Sequence, residues 1–413
     1  MASPELVRQI LDRVSELKDN NCYCYFKPIA KSLGTEVEVD GRSFIMAGSN
    51  DYLGLTHDPR VIEAAIGAVH RYGTGHGGTR FLQGNTTMLE ELEARLAAFV
   101  GKKGALVHST GFLTNLGAIG SLVRPTDVIL CDRENHASIF EGCRATRARV
   151  VPFAHNDAEA AAKKLEFVRT KYPDARPFLI TEGVFSMSGD VTILPELLAL
   201  KKDFPEMTLY LDDAHGLGVM GDHGRGTANH FGVVGEVDFI MGTFSKALGS
   251  IGGFIATDDL DALEHIRTHS TPLRFSTSLP PSNVATVLAC LDILENEPEH
   301  VKRLWTISNR MRKGFNDLGL STGGGNSPII PVFIGNERVA ALFSGELFKR
   351  GVFAIAAAHP AVPRGKAVIR TAFMSTHQEH QLEQVLKIFK EVAEEFHLLN
   401  GQDAQAVSAS QTA

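Results

Sequence analysis

Cations are not in excess in this chain: 41 Lys and Arg stand against 48 Asp and Glu, a net charge of −7 at neutral pH. A general nucleic-acid binder draws much of its affinity from cations that displace counterions from phosphates, so that class is disfavoured. A local basic patch for a CoA-type ligand is still compatible with this balance. Long apolar runs are also missing. No stretch reaches the roughly 18 residues that a membrane span requires. Glu5, Arg8, Asp12 and Arg13 interrupt the first apolar positions, so no signal peptide is read there. Cysteine is sparse: Cys22, Cys24, Cys131, Cys143 and Cys290. An odd number at irregular spacing gives neither a disulfide framework nor a zinc pattern, and the C-x-C pair at Cys22 and Cys24 reads as packing. The expectation is a soluble, cytoplasmic protein without a metal site. Its 413 residues, 44% hydrophobic and 22% charged, allow about two to three domains, or one large domain with a smaller appendage.

What the chain does have is short apolar runs separated by helical patterns. Leu6, Val7, Ile10, Leu11, Val14 and Leu17 follow a helical period over residues 4–18. Apolar runs at 36–39 and 43–46 flank Asp40-Gly41, a hairpin signal. Pro59 opens a helix, and Thr87 with Glu90 predicts a capping box for a helix through Leu92, Leu96 and Phe99. The glycine-rich run GTGHGGTR at 73–80 is not a dinucleotide fingerprint, because a helical segment and not a strand precedes it. Runs at 105–108, 128–130, 177–181, 209–211, 237–241 and 252–255 predict strands with helices between them, the pattern of a mainly parallel sheet. After Asn296-Glu297-Pro298 the order is helix, strand (329–334), helix, strands (352–355 and 367–371) and a last amphipathic helix through Leu382, Val385, Phe389 and Val392. The expected layout is an N-terminal helix and hairpin segment (1–57), a large α/β domain (58–296), a small α+β domain (297–400) and a disordered tail from Gly401.

The stretch LYLDDAHGLGVMG, followed by VDFIMGTFSK, concentrates chemistry. Asp212, Asp213 and His215 follow one apolar run; Thr243, Ser245 and Lys246 follow the next. In open α/β sheets ligands bind beyond the carboxyl ends of the strands. Pyridoxal phosphate needs a lysine for its aldehyde and an acid that keeps a proton on its pyridine nitrogen. Lys246 and Asp212 suit those roles, His215 the ring hydroxyl, and Thr243 and Ser245 the phosphate. Taken alone, an Asp-Asp-x-His cluster also reads as a loop cap or metal site, and a lysine after a strand as a solvated charge. The strand at 105–108, the turn Ser109-Thr110-Gly111-Phe112 and the helix after it form an anion site, with the phosphate at Gly111 and Phe112; an ordinary βα turn reads the same way.

GTFSKALGSIGG, LYLDDAHGLGVMG, TEGVFSMSGD, DRENHASIFEG and SNDYLGL together resemble the α-oxoamine synthases, fold-type I pyridoxal-phosphate enzymes, from residue 20 to residue 396. The resemblance implies a mainly parallel central sheet flanked by helices with a smaller α+β C-terminal domain. It implies a homodimer with shared active sites, and a reaction in which an amino acid loses its α-proton, attacks an acyl-CoA thioester and gives up CO2. By the same resemblance His136 stacks on the cofactor ring, and Gly111 and Phe112 hold its phosphate. Ser186 and His215 lie near the ring hydroxyl, and Thr243 and Ser245 contact phosphate. Ser276 and Thr277 supply a phosphate contact to the other subunit. Asn50 lines the substrate end, and Arg370 in VIRTAFMSTH clamps the amino-acid carboxylate. His136, Asp212, His215 and Lys246 form the expected catalytic set.

Within the family, YCYFKPIAKSLGTEVEVDGRSFIMAGSNDYLGLT, ENEPEHVKRLW and SPIIPVFI are most similar to bacterial members that join L-serine to palmitoyl-CoA. Their product is 3-oxosphinganine, with CoA and CO2, in the first step of sphingolipid synthesis. Sister enzymes use alanine with pimeloyl-CoA or glycine with acetyl-CoA, and a catalytically silent partner subunit is a third reading that the presence of Lys246 opposes. Thr79 stands where the family has Ser, and His359 where relatives often have Pro or another small residue. Peripheral membrane contact through residues 1–18 is compatible with the sequence but not demanded by it.

Overall fold

A computed structural model describes residues 4–19, 23 and 25–399. The Cys22 and Cys24 pair and the tail from Gly401 lie outside the described residues. Two compact units divide the chain. One takes the residues up to Tyr52, Met187–Gly189 and the residues from Arg303 onward; the other takes Leu53–Ser186 and Asp190–Lys302.

The larger unit is built on a seven-stranded sheet. Its spatial order is Gly104–His108, Gly253–Thr257, Phe239–Thr243, Thr208–Asp212, Pro177–Glu182, Val128–Asp132 and Arg149–Phe153. Only Gly253–Thr257 runs against its neighbours; the other pairings along the sheet are parallel. Residues of a strand alternate between faces, and both faces here are apolar. Ile129, Phe178, Ile180, Tyr210, Phe239 and Met241 pack with helices Gly111–Leu122, Ala137–Thr146 and Leu260–His269. Val128, Leu130, Leu179, Leu209, Leu211 and Ile240 pack on the other side with Ala158–Lys171 and Leu194–Ala199. Burial on both faces explains why these strands read as continuous apolar runs and not as alternating ones.

The smaller unit contains the N-terminal helix Pro4–Asp19 and the hairpin Glu36–Val39 and Arg42–Met46. Its turn residues Asp40 and Gly41 have φ of 51° and 72°, the left-handed pair that a two-residue hairpin turn demands. Val352–Phe353 adds to this hairpin in parallel. A second sheet, Ile329–Gly335, Ala367–Ala372 and Ile355–Ala357, is antiparallel, and helices Glu337–Lys349 and Glu379–Glu395 share its core. The α+β character expected of the C-terminal residues is present.

Three local expectations are corrected. The helix Thr87–Val100 is capped by Thr86, whose Oγ1 accepts from the Leu89 N–H, and not by Thr87. Asn85 Nδ2 donates to Glu90 Oε1 at 2.7 Å, so the carboxylate has another partner than the cap backbone. The strand predicted at 237–241 is Phe239–Thr243, two residues nearer the polar end. The run at 352–355 is split into Val352–Phe353 and Ile355–Ala357, which join different sheets.

Phe178, Tyr210 and Phe239 cluster on adjacent strands, with ring centroids 6.2–6.4 Å apart. Phe178 is fully buried, so Phe178→Ala should destabilise the larger unit by about 3–5 kcal/mol, read as a lowered urea midpoint. A loss below about 1 kcal/mol would mean that the sheet repacks around the vacancy.

Candidate active site

Strand alternation sets the floor of the site. Ile180 pairs with Tyr210 and Glu182 with Asp212, while Asp212 pairs with Met241. The face that is apolar at Ile180, Tyr210 and Phe239 therefore turns polar at its carboxyl end, with Glu182, Asp212 and Thr243. These residues line a cavity of about 360 Å³. Its wall also contains Gly111, Phe112, Asn115, His136, Ser138, His215, Ser245 and Lys246.

Asp212 is 3% exposed. Asn115 Nδ2 donates to its Oδ2 at 2.6 Å, and the Ala214 N–H donates to its Oδ1 at 3.0 Å. The neighbouring Asp213 turns the other way. Its carboxylate accepts from Thr227 Oγ1 and from the Thr227 N–H, both at 2.6 Å, and burial raises its pKa to about 6. The two adjacent acids thus have separate tasks, one facing the cavity and one tying the following loop.

Glu182 is a further buried acid in the cavity wall. Burial, and then the charge of Asp212 on the next strand, hold its proton well above the usual carboxylate range; Lys246 acts in the opposite sense. Its Oε1 accepts the backbone N–H of His136. His136 caps the helix Ala137–Thr146, and its ring stands edge-on to Phe112 with centroids 6.5 Å apart. Although its surface opens into the cavity, the surrounding protein withdraws enough water to lower its pKa; Asp212 opposes that shift and Lys246 adds to it.

The first N–H groups of a helix have no partner within it. Here the helix Gly111–Leu122 begins at the cavity, capped by Thr110. A β-carbon at Gly111 would stand 2.7 Å from Thr243 Oγ1, so only glycine lets this helix start so close to the strand. Thr243 Oγ1 lies 3.0 Å from Ser245 Oγ. A carboxylate, an imidazole, an amine, two hydroxyls and a helix N-terminus around a cavity of this size meet the needs of an aromatic aldehyde that carries a phosphate.

Of the residues expected from sequence, Gly111, Phe112, His136, Asp212, His215, Thr243, Ser245 and Lys246 line this one cavity, and Ser186 does not. Ser276 and Thr277 line another, small pocket with Arg80, His108 and Ser109. Asn50 and Arg370 belong to the smaller unit, where Arg370 Nη2 donates to Asn50 Oδ1 at 2.9 Å and lies 3.4 Å from the Tyr52 hydroxyl. Asn115, Ser138 and Glu182 were not singled out from sequence. Glu182 carried the same signal as Asp212, a polar residue closing an apolar strand; the other two sit inside helices without any such mark.

The sequence from residue 43 to residue 389 matches the family model for class I and II aminotransferases. This chain is a member of that family. It is 44% identical over 392 residues to a serine palmitoyltransferase of Bacteriovorax stolpii, covering 95% of this chain and 92% of the relative. It is 39% identical to an 8-amino-7-oxononanoate synthase of Thermoanaerobacter pseudethanolicus, covering 94% and 98%. The fold superposes on a serine palmitoyltransferase structure from Sphingomonas wittichii with a TM-score of 0.91 at 34% identity, covering 96% of this chain and 99% of that one. A second serine palmitoyltransferase structure, solved with PLP, gives 0.90 at 31% identity, covering 97% and 100%. The resemblance to α-oxoamine synthases read in the motifs therefore extends over nearly the whole chain, and the fold is the type I transferase fold.

His155 braces the loop that carries His136. Its Nδ1 lies 3.0 Å from Asp132 Oδ1 and its Nε2 3.4 Å from Asp190 Oδ2. Burial opposes its charge, but the hydrogen bonds to Asp132 and Asp190 prevail and raise its pKa to about 10. A raised folded pKa stabilises fully below the unfolded value of about 6.5 and loses that contribution as pH rises through the folded value. His155→Gln should therefore lower the melting temperature at pH 6–7, with the difference from wild type shrinking as pH approaches 10. A difference that grows with pH would contradict the charged assignment.

Proposed function

We propose that this protein catalyses the decarboxylating condensation of L-serine with a long-chain acyl-CoA such as palmitoyl-CoA, giving 3-oxosphinganine, CoA and CO2. The enzyme is an acyltransferase and its cofactor is pyridoxal phosphate. The observation that carries the reading is the meeting of Asp212, His136 and Lys246 in one cavity, in a chain 44% identical to a named serine palmitoyltransferase.

The cofactor, when bound, supplies an electron-poor ring that takes up the electron pair left at the amino acid's α-carbon. The remaining work falls to side chains. Lys246 Nζ would hold the cofactor's aldehyde and, as a free amine, would take the amino acid's α-proton. Asp212, held by Asn115 and Ala214, keeps a proton on the ring nitrogen. His136 lies against the ring, and His215 serves its hydroxyl. Gly111, Phe112, Thr243 and Ser245 hold the phosphate with helix N–H groups and hydroxyls. Arg370, whose planar guanidinium suits a carboxylate, holds the amino acid with Asn50 beside it. Ser186 is kept near the ring hydroxyl on the family pattern alone.

On this reading the enzyme works in the cytoplasm as a homodimer with shared active sites. Ser276 and Thr277 line no part of their own chain's main cavity, which suits a phosphate contact lent to a second copy. Among the described residues no helix is long and apolar enough to cross a membrane; a peripheral contact with the membrane would bring a long-chain acyl-CoA within reach.

The sister reading is an 8-amino-7-oxononanoate or glycine acyltransferase type of reaction, favoured by relatives of the first kind at 38–39% identity. The two differ in a hydroxyl on the amino acid, and a site built to bond that hydroxyl rejects the analogue without it strongly. Titration of the bound cofactor's absorbance with serine, alanine and glycine, followed by mass spectrometry of the products from a mixture of acyl-CoAs, decides between them. Serine is expected to bind, and to turn over with the long-chain thioesters. Turnover of alanine or glycine without serine would establish the sister reaction.

A further inference from the structure

Tyr210, Asn115, Ser138 and His136 form one hydrogen-bonded line, and Asp212 branches from it at Asn115. The Tyr210 hydroxyl lies 2.8 Å from Asn115 Oδ1. Asn115 Nδ2 lies 2.6 Å from Asp212 Oδ2 and 2.9 Å from Ser138 Oγ. Ser138 Oγ lies 2.8 Å from His136 Nδ1. Each of three elements supplies part of the line: strand Thr208–Asp212, helix Gly111–Leu122 and helix Ala137–Thr146.

Counting donors fixes the protons. Burial, and then the neighbouring Asp212 charge, hold the Tyr210 phenol protonated far above neutral pH. The Asp212 carboxylate only accepts, so the Asn115 atom facing it is Nδ2, and Oδ1 is left to accept from the Tyr210 hydroxyl. That settles the amide orientation, which an isolated asparagine leaves open. The two Nδ2 hydrogens then go to Asp212 and to Ser138. Ser138 Oγ accepts from Asn115 and still has both a hydrogen and a second lone pair, so by itself it could meet either form of Nδ1. The backbone N–H of Ser138, which only donates, decides, and the hydroxyl hydrogen then goes to Nδ1. The Ser138 backbone N–H also meets Nδ1, at 3.3 Å. Nδ1 is an acceptor twice over, and the ring proton resides on Nε2. A proton on Nδ1 would face a donor that cannot turn away.

We propose that Asn115 is a positioning residue whose one side-chain amide holds the Asp212 carboxylate and, through Ser138, fixes His136 as the neutral Nε2–H tautomer. The proposal rests on the reading that the cavity takes pyridoxal phosphate with Asp212 and His136 against its ring. The amide ties the acid that charges the ring to the imidazole that must stay uncharged beside it. It also leaves the His136 Nε2–H available to donate to a substrate. Around His136 the charged and titratable groups are Asp212, which favours a second ring proton, Lys246, which opposes it, and Glu182, whose carboxyl is occupied by the His136 backbone N–H. Burial is the largest influence and favours the neutral ring, and the Ser138 contacts select which nitrogen keeps the proton.

The test uses holoenzyme labelled with nitrogen-15 histidine. Two-bond proton–nitrogen spectra between pH 6 and 9 read the protonation of each ring nitrogen, with His136 assigned by its loss in His136→Gln. The wild type should show a protonated Nε2 and a bare Nδ1. Ser138→Ala removes the shorter Nδ1 contact and keeps only the 3.3 Å backbone one, so a measurable share of the Nδ1–H tautomer should appear and the His136 pKa should rise. Asn115→Leu should do the same and weaken pyridoxal-phosphate binding about tenfold; if it does not fold, Ser138→Ala, which leaves the Asp212 contact in place, decides alone. A protonated Nδ1 in the wild type, or an unchanged His136 in Ser138→Ala, overturns the proposal while the visible band of bound cofactor persists. A wild-type protein that forms no such band overturns the functional reading and the proposal with it.

Discussion

A carboxylate almost wholly removed from water persists as a charge only where donors meet it, and Asp212 is in that position at the centre of the larger unit. Its donors are the Asn115 amide and the Ala214 N–H. The strand Thr208–Asp212 delivers it, the helix Gly111–Leu122 supplies Asn115, and the loop after the strand bends back to give Ala214. The same constraint governs the neighbouring acids. Glu182 lies one strand away on the same face, so only one of the two carries its charge easily. Asp213 is turned off that face and held by Thr227.

The chemistry of the site follows from where the sheet stops being apolar. For most of their length the strands are buried on both faces, and side chains such as Phe178, Ile180 and Leu211 do nothing except pack. At the carboxyl ends the same face continues as Glu182, Asp212 and Thr243. Helices begin there, so free N–H groups and small residues gather at the point where an anion can be held. A doubly wound sheet of this kind gathers ligand-binding groups beyond the carboxyl ends of its strands.

Much of this was legible in the sequence. The central strands stood out because burial on both faces makes them unbroken apolar runs, and Lys246 and Asp212 stood out because polar residues close such runs, whereas His136 came from the family resemblance alone. The strand Arg149–Phe153 was missed. It is an edge strand with Pro152 inside and only Phe153 buried, so it lacks the apolar signature. The cap at Thr86 was read one residue late because two adjacent threonines can each serve; the bond between Asn85 and Glu90 is a tertiary detail that spacing does not reveal. Asn115 and Ser138 were invisible for a different reason. Their importance lies in what they touch across three elements, and one chain read in order carries no mark of that. The grouping of the residues before Tyr52 with those after Arg303 is hidden in the same way by distance along the chain.

The central claim is that one amine in the cavity attaches the cofactor opposite Asp212. Borohydride reduction of the protein saturated with pyridoxal phosphate, followed by proteolysis and peptide mass spectrometry, tests it directly, since reduction makes the attachment permanent. The pyridoxyl mass should appear on the peptide containing Lys246 and on no other at one equivalent per chain. Its appearance on a different lysine, with the Lys246 peptide unmodified, would contradict the account.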